Sequence, residues 1–220
     1  MKTILCYGDS NTWGFMPTPG GPEITANNRY PWGVRWTSRL QLALGHDEYH
    51  VAECGVNGRT TMFDCPMAEY RNGLKDIDVC IQAQHPVDLV IIMLGTNDTK
   101  FFFNMSGYMI AKGAERIIER IRQGGYGPDG KCPEILLMSP IRIHPNMMNE
   151  WLKEEFAEYS LKVDAELGKF LGAKAKELGV HFMDAGEFIT ADPGDGIHMN
   201  AEGHALLAEK LTAKVKEILG

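Results

Sequence analysis

The chain reads as an α/β protein: one domain over residues 1–220, built as three layers with a five-stranded parallel sheet between helices. Three observations predict this. Short apolar runs alternate with longer amphipathic stretches five times along the chain. One of those runs, 87–94, is almost unbroken (Val87, Leu89, Val90, Ile91, Ile92, Met93, Leu94), which suits a strand covered on both faces. The 220 residues are 44% hydrophobic and 23% charged, an ordinary composition for one sizeable core.

The elements follow in order. Residues 2–7 form a buried strand that runs into a Gly-Asp-Ser turn. In 32–44, Trp32, Trp36, Leu40 and Leu44 stand four apart and mark one face of a helix. Residues 50–54 are a short strand, followed by a Gly/Asn loop as far as Thr61. Residues 87–94 are the third strand. Residues 108–122 are helical and end at Gly124-Gly125. Residues 134–138 are the fourth strand, stopped by Pro140. A long helix is expected over 151–178, with Gly179 as its cap and Gly168 and Gly172 as points that break or pack it. Residues 180–183 are the fifth strand and 201–219 the last helix, with Asn200 as its N-cap. Two segments, 16–30 and 63–78, read as long loops, expected to act as lids or subunit contacts. No repeat, low-complexity tract or linker interrupts the chain, and right-handed crossovers would put helices on both faces.

Composition excludes several jobs. A net charge of −7 and the lack of a basic run argue against nucleic-acid binding. No stretch approaches the roughly 18 apolar residues of a membrane span. The apolar N-terminal run meets Gly8-Asp9-Ser10 too soon for a signal peptide, so the expected address is the cytoplasm. Cys6, Cys54, Cys65, Cys80 and Cys132 are odd in number and lack CxxC spacing, so reduced thiols are expected, not a disulfide framework or a zinc site.

In an open α/β sheet, ligands sit beyond the carboxyl ends of the strands. The segments at those ends are Gly8-Asp9-Ser10-Asn11, Gly55-Val56-Asn57-Gly58-Arg59, Gly95-Thr96-Asn97-Asp98 and, before the last helix, Asp195-Gly196-Ile197-His198. Each alone is a plain turn or helix entry. Together they hold what acyl transfer needs. A serine hydroxyl is a poor nucleophile without an adjacent base. His198 supplies the base for Ser10, and Asp195, three residues earlier, can hold its other nitrogen. The backbone N–H groups of Ser10 and Gly58 and the amide of Asn97 can stabilise the oxyanion. No metal or organic cofactor is required.

These four blocks resemble those of the SGNH (GDSL-like) hydrolases, whose four letters correspond here to Ser10, Gly58, Asn97 and His198. The resemblance spans residues 8–198 and implies the flavodoxin-like SGNH hydrolase fold. Within the family, Cys6 to Gly14, Val34-Arg35-Trp36, Gly58 to Thr61 and Leu89 to Lys100 resemble the bacterial arylesterase/acyltransferase branch. That implies short-chain, acetyl-type ester substrates, acyl transfer to alcohols in some members, and homo-oligomers in some. Asn11 departs from the family pattern, which has leucine there; acyl or alcohol preference is the property this puts in question.

Asp9, Asn11, Trp13, Phe15, Thr96 and Ile197 are the remaining candidates for the pocket. Asp9 and Asp98 are read as braces for their own turns, and Arg59 and Lys100 as surface charges. His144 is the rival base, set aside because no carboxylate stands near it in sequence. The same machinery would serve a carbohydrate acetylesterase, a thioesterase or a lysophospholipase. A non-catalytic α/β binding module is the alternative outside the enzymes, and it predicts a missing triad member.

Overall fold

Period-two burial in the strands builds the sheet. In β1 (Lys2–Gly8), Ile4 and Cys6 face one side while Leu5 and Tyr7 face the other. The same alternation runs through β3 (Leu89–Met93) and β4 (Glu134–Ser139), so both faces of the sheet are apolar and both must be covered. With β2 (Tyr49–Gly55) and β5 (His181–Asp184), these strands form one all-parallel sheet in the order β2-β1-β3-β4-β5. This is the computed structural model of the chain, and it describes residues 1–18, 28–156 and 158–220.

The helices are α1 (Ser10–Trp13), α2 (Trp36–Leu44), α3 (Gly73–Gln82), α4 (Gly107–Gly124), α5 (Glu150–Glu155), α6 (Glu158–Leu178) and α7 (Ala201–Leu219). Trp36 and Leu40 of α2 pack with Leu207, Leu211 and Val215 of α7 on the Ile4/Cys6 face. Ile77 and Ile81 of α3, Ile117 of α4 and Leu171 of α6 cover the other. The result is the expected α/β/α sandwich. Among the described residues, no helix is long and apolar enough to cross a membrane.

Three expected elements differ. The helix expected from Trp32 begins at Trp36: Gly33 takes φ +90°, and Arg35 is extended with ψ 142°. The Trp36 N–H is met by His204 Nδ1 at 3.2 Å, which caps α2 with a side chain from α7. The spacing of apolar residues thus ran one turn past the helix. The single helix expected over 151–178 is two, because Phe156 leaves helical geometry (φ −113°, ψ 80°) between α5 and α6. Gly168 and Gly172 do not break α6. A Cβ at Gly168 would lie 1.8 Å from Asp184 Oδ2 and one at Gly172 would lie 2.9 Å from Phe182 Cε1, so both let β5 approach the helix. The loop expected over 63–78 ends at Asn72, whose Oδ1 accepts from Leu74 N (3.1 Å) and Lys75 N (3.3 Å) to start α3. Of the other long loop, 16–30, residues 19–27 lie outside the described residues.

Candidate active site

The strand order reverses between β1 and β3, and that is where a cleft opens at the carboxyl ends of a parallel sheet. Ser10 follows β1, Asn57-Gly58 follows β2, and Asn97 lies in a 3-10 turn (Asn97–Thr99) after β3. The turn after β1 is tightly built. A Cβ at Gly8 would meet Thr12 Oγ1 at 2.1 Å and Met93 O at 2.9 Å. The Asp9 carbonyl accepts from Thr12 N (3.1 Å) and Trp13 N (2.9 Å), while Asp9 Oδ1 accepts from Asn11 N (3.0 Å). Gly14, at φ +90°, ends α1 in the left-handed region.

His198 lies between a hydroxyl and a carboxylate. Its Nε2 is 2.9 Å from Ser10 Oγ and its Nδ1 is 2.7 Å from Asp195 Oδ2. Asp195 is fully buried, and its Oδ1 accepts from Ile197 N (3.0 Å) and His198 N (2.9 Å). Burial pushes this carboxyl up, but the His198 charge, the imidazole hydrogen bond and those two N–H groups outweigh burial and leave it below its ordinary value. Asp195 is therefore an anion facing Nδ1, the arrangement that fixes the imidazole with its Nδ1 proton toward the carboxylate. Phe15 packs against the imidazole with ring centroids 4.4 Å apart.

The backbone N–H groups of Ser10 and Gly58 have no protein acceptor among the described residues. Gly58 sits at φ +76°, a conformation that favours glycine. The Asn97 amide nitrogen donates to Arg59 O at 3.1 Å, which takes one of its two N–H groups and leaves the other with only a long, 3.5 Å contact to Asp9 Oδ2. Two buried carboxyls brace this corner. Burial raises Asp9 to about 6 against the pull of the Asn11 N–H. Burial also raises Asp98 to about 7, against hydrogen bonds from the Thr61 hydroxyl (2.5 Å) and N–H (3.0 Å).

Ser10, Gly58, Asn97 and His198 all line one cavity of about 220 Å3. Phe15 and Ile197 line it too. Asp9, Asn11, Trp13 and Thr96 are not among the residues that line it. Asn11 bridges the loops that carry Ser10 and His198: its Nδ2 donates to Ile197 O (3.1 Å) and its Oδ1 accepts from Met199 N (3.0 Å). Trp13 lies under Arg29, 5.0 Å from ring to guanidinium carbon. Arg59 is no surface charge. It is buried, bonds Gly8 O (2.9 Å) and Cys54 O (2.6 Å), and covers the Tyr7 ring at 4.3 Å. Lys100 is buried as well, pairs with Glu155, and lines the cavity. The His144 ring accepts from Asn146 N (3.1 Å) and, among the described residues, faces no carboxylate in a hydrogen bond.

Sequence reasoning missed one wall entirely. Asn149, Trp151, Leu152 and Phe156 line the same cavity. Trp151, Leu152 and Phe156 fall in the helix expected over 151–178, and no residue type there announces chemistry. Asn149 caps α5 and donates to Thr18 O (2.9 Å), tying this wall to the loop after α1.

A three-layer α/β/α sheet with this serine, glycine, asparagine and histidine at its strand ends has the architecture of the SGNH hydrolases. The chain belongs to the GDSL-like lipase/acylhydrolase family, whose model matches residues 6–206. It is similar to the structure of an aryl esterase from M. smegmatis, with TM-score 0.92 and 36% identity over the whole of both chains. A carbohydrate acetylesterase from Sinorhizobium meliloti matches with TM-score 0.90 and 34% identity, again over the whole of both chains. An acetylxylan esterase of Xylanibacter ruminicola is 29% identical across 97% of this chain, which spans only 43% of that longer protein.

Proposed function

We propose that the chain is a serine carboxylic-ester hydrolase for short-chain, acetyl-type esters, working through an acyl-enzyme. The observation that carries this reading is the hydrogen-bonded run from Ser10 Oγ through His198 (2.9 Å) to Asp195 (2.7 Å), opening on a cavity. The ester carbonyl oxygen takes the Ser10 N–H, the Gly58 N–H and the Asn97 amide. Ser10 attacks as His198 Nε2 takes its proton, and Asp195 stabilises the imidazolium. His198 then passes that proton to the leaving alcohol, and the acyl group stays on Ser10. Water repeats the sequence, with His198 as base and then as acid, and releases the carboxylic acid. Each oxyanion donor is worth about 10²–10³ in rate.

The small cavity favours acetyl over long acyl chains: about 220 Å3 lies under the roughly 300–1,000 Å3 typical of drug-sized sites. Acetylated carbohydrate is a second reading, favoured by the names of the two acetylesterase relatives. Acyl transfer uses the same acyl-enzyme, with an alcohol replacing water. The first test is p-nitrophenyl acetate hydrolysis by wild type and Ser10→Ala. The variant should lose more than about a thousandfold in kcat while remaining folded; retained activity would remove Ser10 as nucleophile. Acetyl, butyryl, octanoyl and palmitoyl esters then set the acyl limit, and added alcohol measures transfer.

A further inference from the structure

The cavity wall beside Gly58 carries a guanidinium that the ester-hydrolysis mechanism does not use. Arg71 lines the same cavity as Ser10 and His198. A Cβ on Gly58 would meet Arg71 Nε at 2.7 Å and Cζ at 2.8 Å, so the guanidinium lies close against the glycine that offers an oxyanion donor. Among the described residues no carboxylate pairs with it; its side chain reaches only Cys65 Sγ, at 3.7 Å. The other cation of the cavity, Lys100, is neutralised by Glu155. The Arg71 backbone is firmly held. Its carbonyl accepts from Thr60 N (2.8 Å) and Thr60 Oγ1 (3.1 Å), and the preceding Tyr70 stands at φ +60°. Strain of this kind in a non-glycine residue persists where surrounding structure enforces it, and it collects at ligand sites. An arginine with open donors in a small cavity binds carboxylate by its planar fork.

We propose that Arg71 is a specificity residue, and that the preferred esters carry a carboxylate within reach of the ester group. The inference rests on the ester-hydrolase reading and names a substrate class for it. The test compares 3- and 4-acetoxybenzoate with the matching acetoxybenzamides, which keep size and hydrogen bonding without the charge. A second arm, with the charge on the acyl side, compares the 4-nitrophenyl hemiester of succinate with 4-nitrophenyl butyrate. The quantity read is the ratio of kcat/KM for the charged ester to that for its neutral partner. In wild type this ratio should exceed one in at least one arm and fall with added salt. Arg71→Gln should lower it about tenfold, and Arg71→Lys should restore part of it. Ratios that are unchanged in Arg71→Gln, or no charge preference in either arm, would overturn the proposal. Failure of the underlying reading looks different: hydrolysis of every ester would then survive Ser10→Ala.

Discussion

Asn11 follows the Ser10 nucleophile candidate in sequence, yet its side chain serves His198. It bonds the carbonyl before that histidine and the N–H after it, and the Trp36 indole N–H donates to its backbone carbonyl at 3.1 Å. Leucine, the family's residue here, cannot make these two contacts. Asn11→Leu should therefore strand two buried backbone groups at a cost of about 1–3 kcal/mol in stability. Because His198, the base of the proposed mechanism, sits between those groups, kcat should fall about tenfold with KM nearly constant. Steady-state kinetics with urea unfolding would check both; a KM effect alone would return Asn11 to the substrate pocket.

The helix α1 is only four residues long, and its position comes from the close approach of β2. A Cβ at Gly55, the last residue of β2, would lie 2.1 Å from Trp13 N and 2.7 Å from Thr12 C. Those are backbone atoms of α1 and cannot rotate away. Gly55→Ala should push α1 outward, destabilise the fold by about 1–3 kcal/mol and lengthen the Ser10–His198 contact. Denaturant unfolding together with esterase rate would show it; normal stability and rate would mean that α1 accommodates the methyl without moving. The break between α5 and α6 belongs here as well. It turns α5 so that Trp151 and Leu152 face the cavity instead of continuing along the surface of α6.

Buried carboxyls give the folded chain a definite response to pH. Burial raises Asp9, Asp98 and Asp164, the latter two to about 7 from an ordinary 3.8. A raised carboxyl holds its proton more tightly folded than unfolded. Its contribution is complete below about pH 4 and is lost as pH rises through 6 to 7. Asp195 has the opposite sign: lowered when folded, it stabilises above its ordinary value and loses that contribution in acid. These groups thus favour a mildly acidic stability maximum. Urea midpoints at about pH 5 and about pH 8 should fall across that interval, and less so in Asp98→Asn. Equal slopes in the two proteins would show that Asp98 is ionised throughout.

Much of this molecule is written in local pattern. Alternating apolar residues in residues 2–7 and the unbroken run of 87–94 specify strands, because a doubly covered sheet needs apolar side chains on both faces. That Ser10, Asp195 and His198 come together was legible, because these polar residue types stand in Gly-rich turns, and strand ends are where such turns expose them. The role of Asn11, the burial of Arg59 against the ends of β1 and β2 and the cavity wall of Trp151 and Phe156 were not legible. Each depends on contacts between segments far apart in the chain: 186 residues separate Asn11 from Ile197, and 51 separate Arg59 from Gly8. Local periodicity carries no record of such distances. Only the packing of β1, β2 and β3 into one sheet decides which side chain fills a core, which clamps a loop and which meets a substrate.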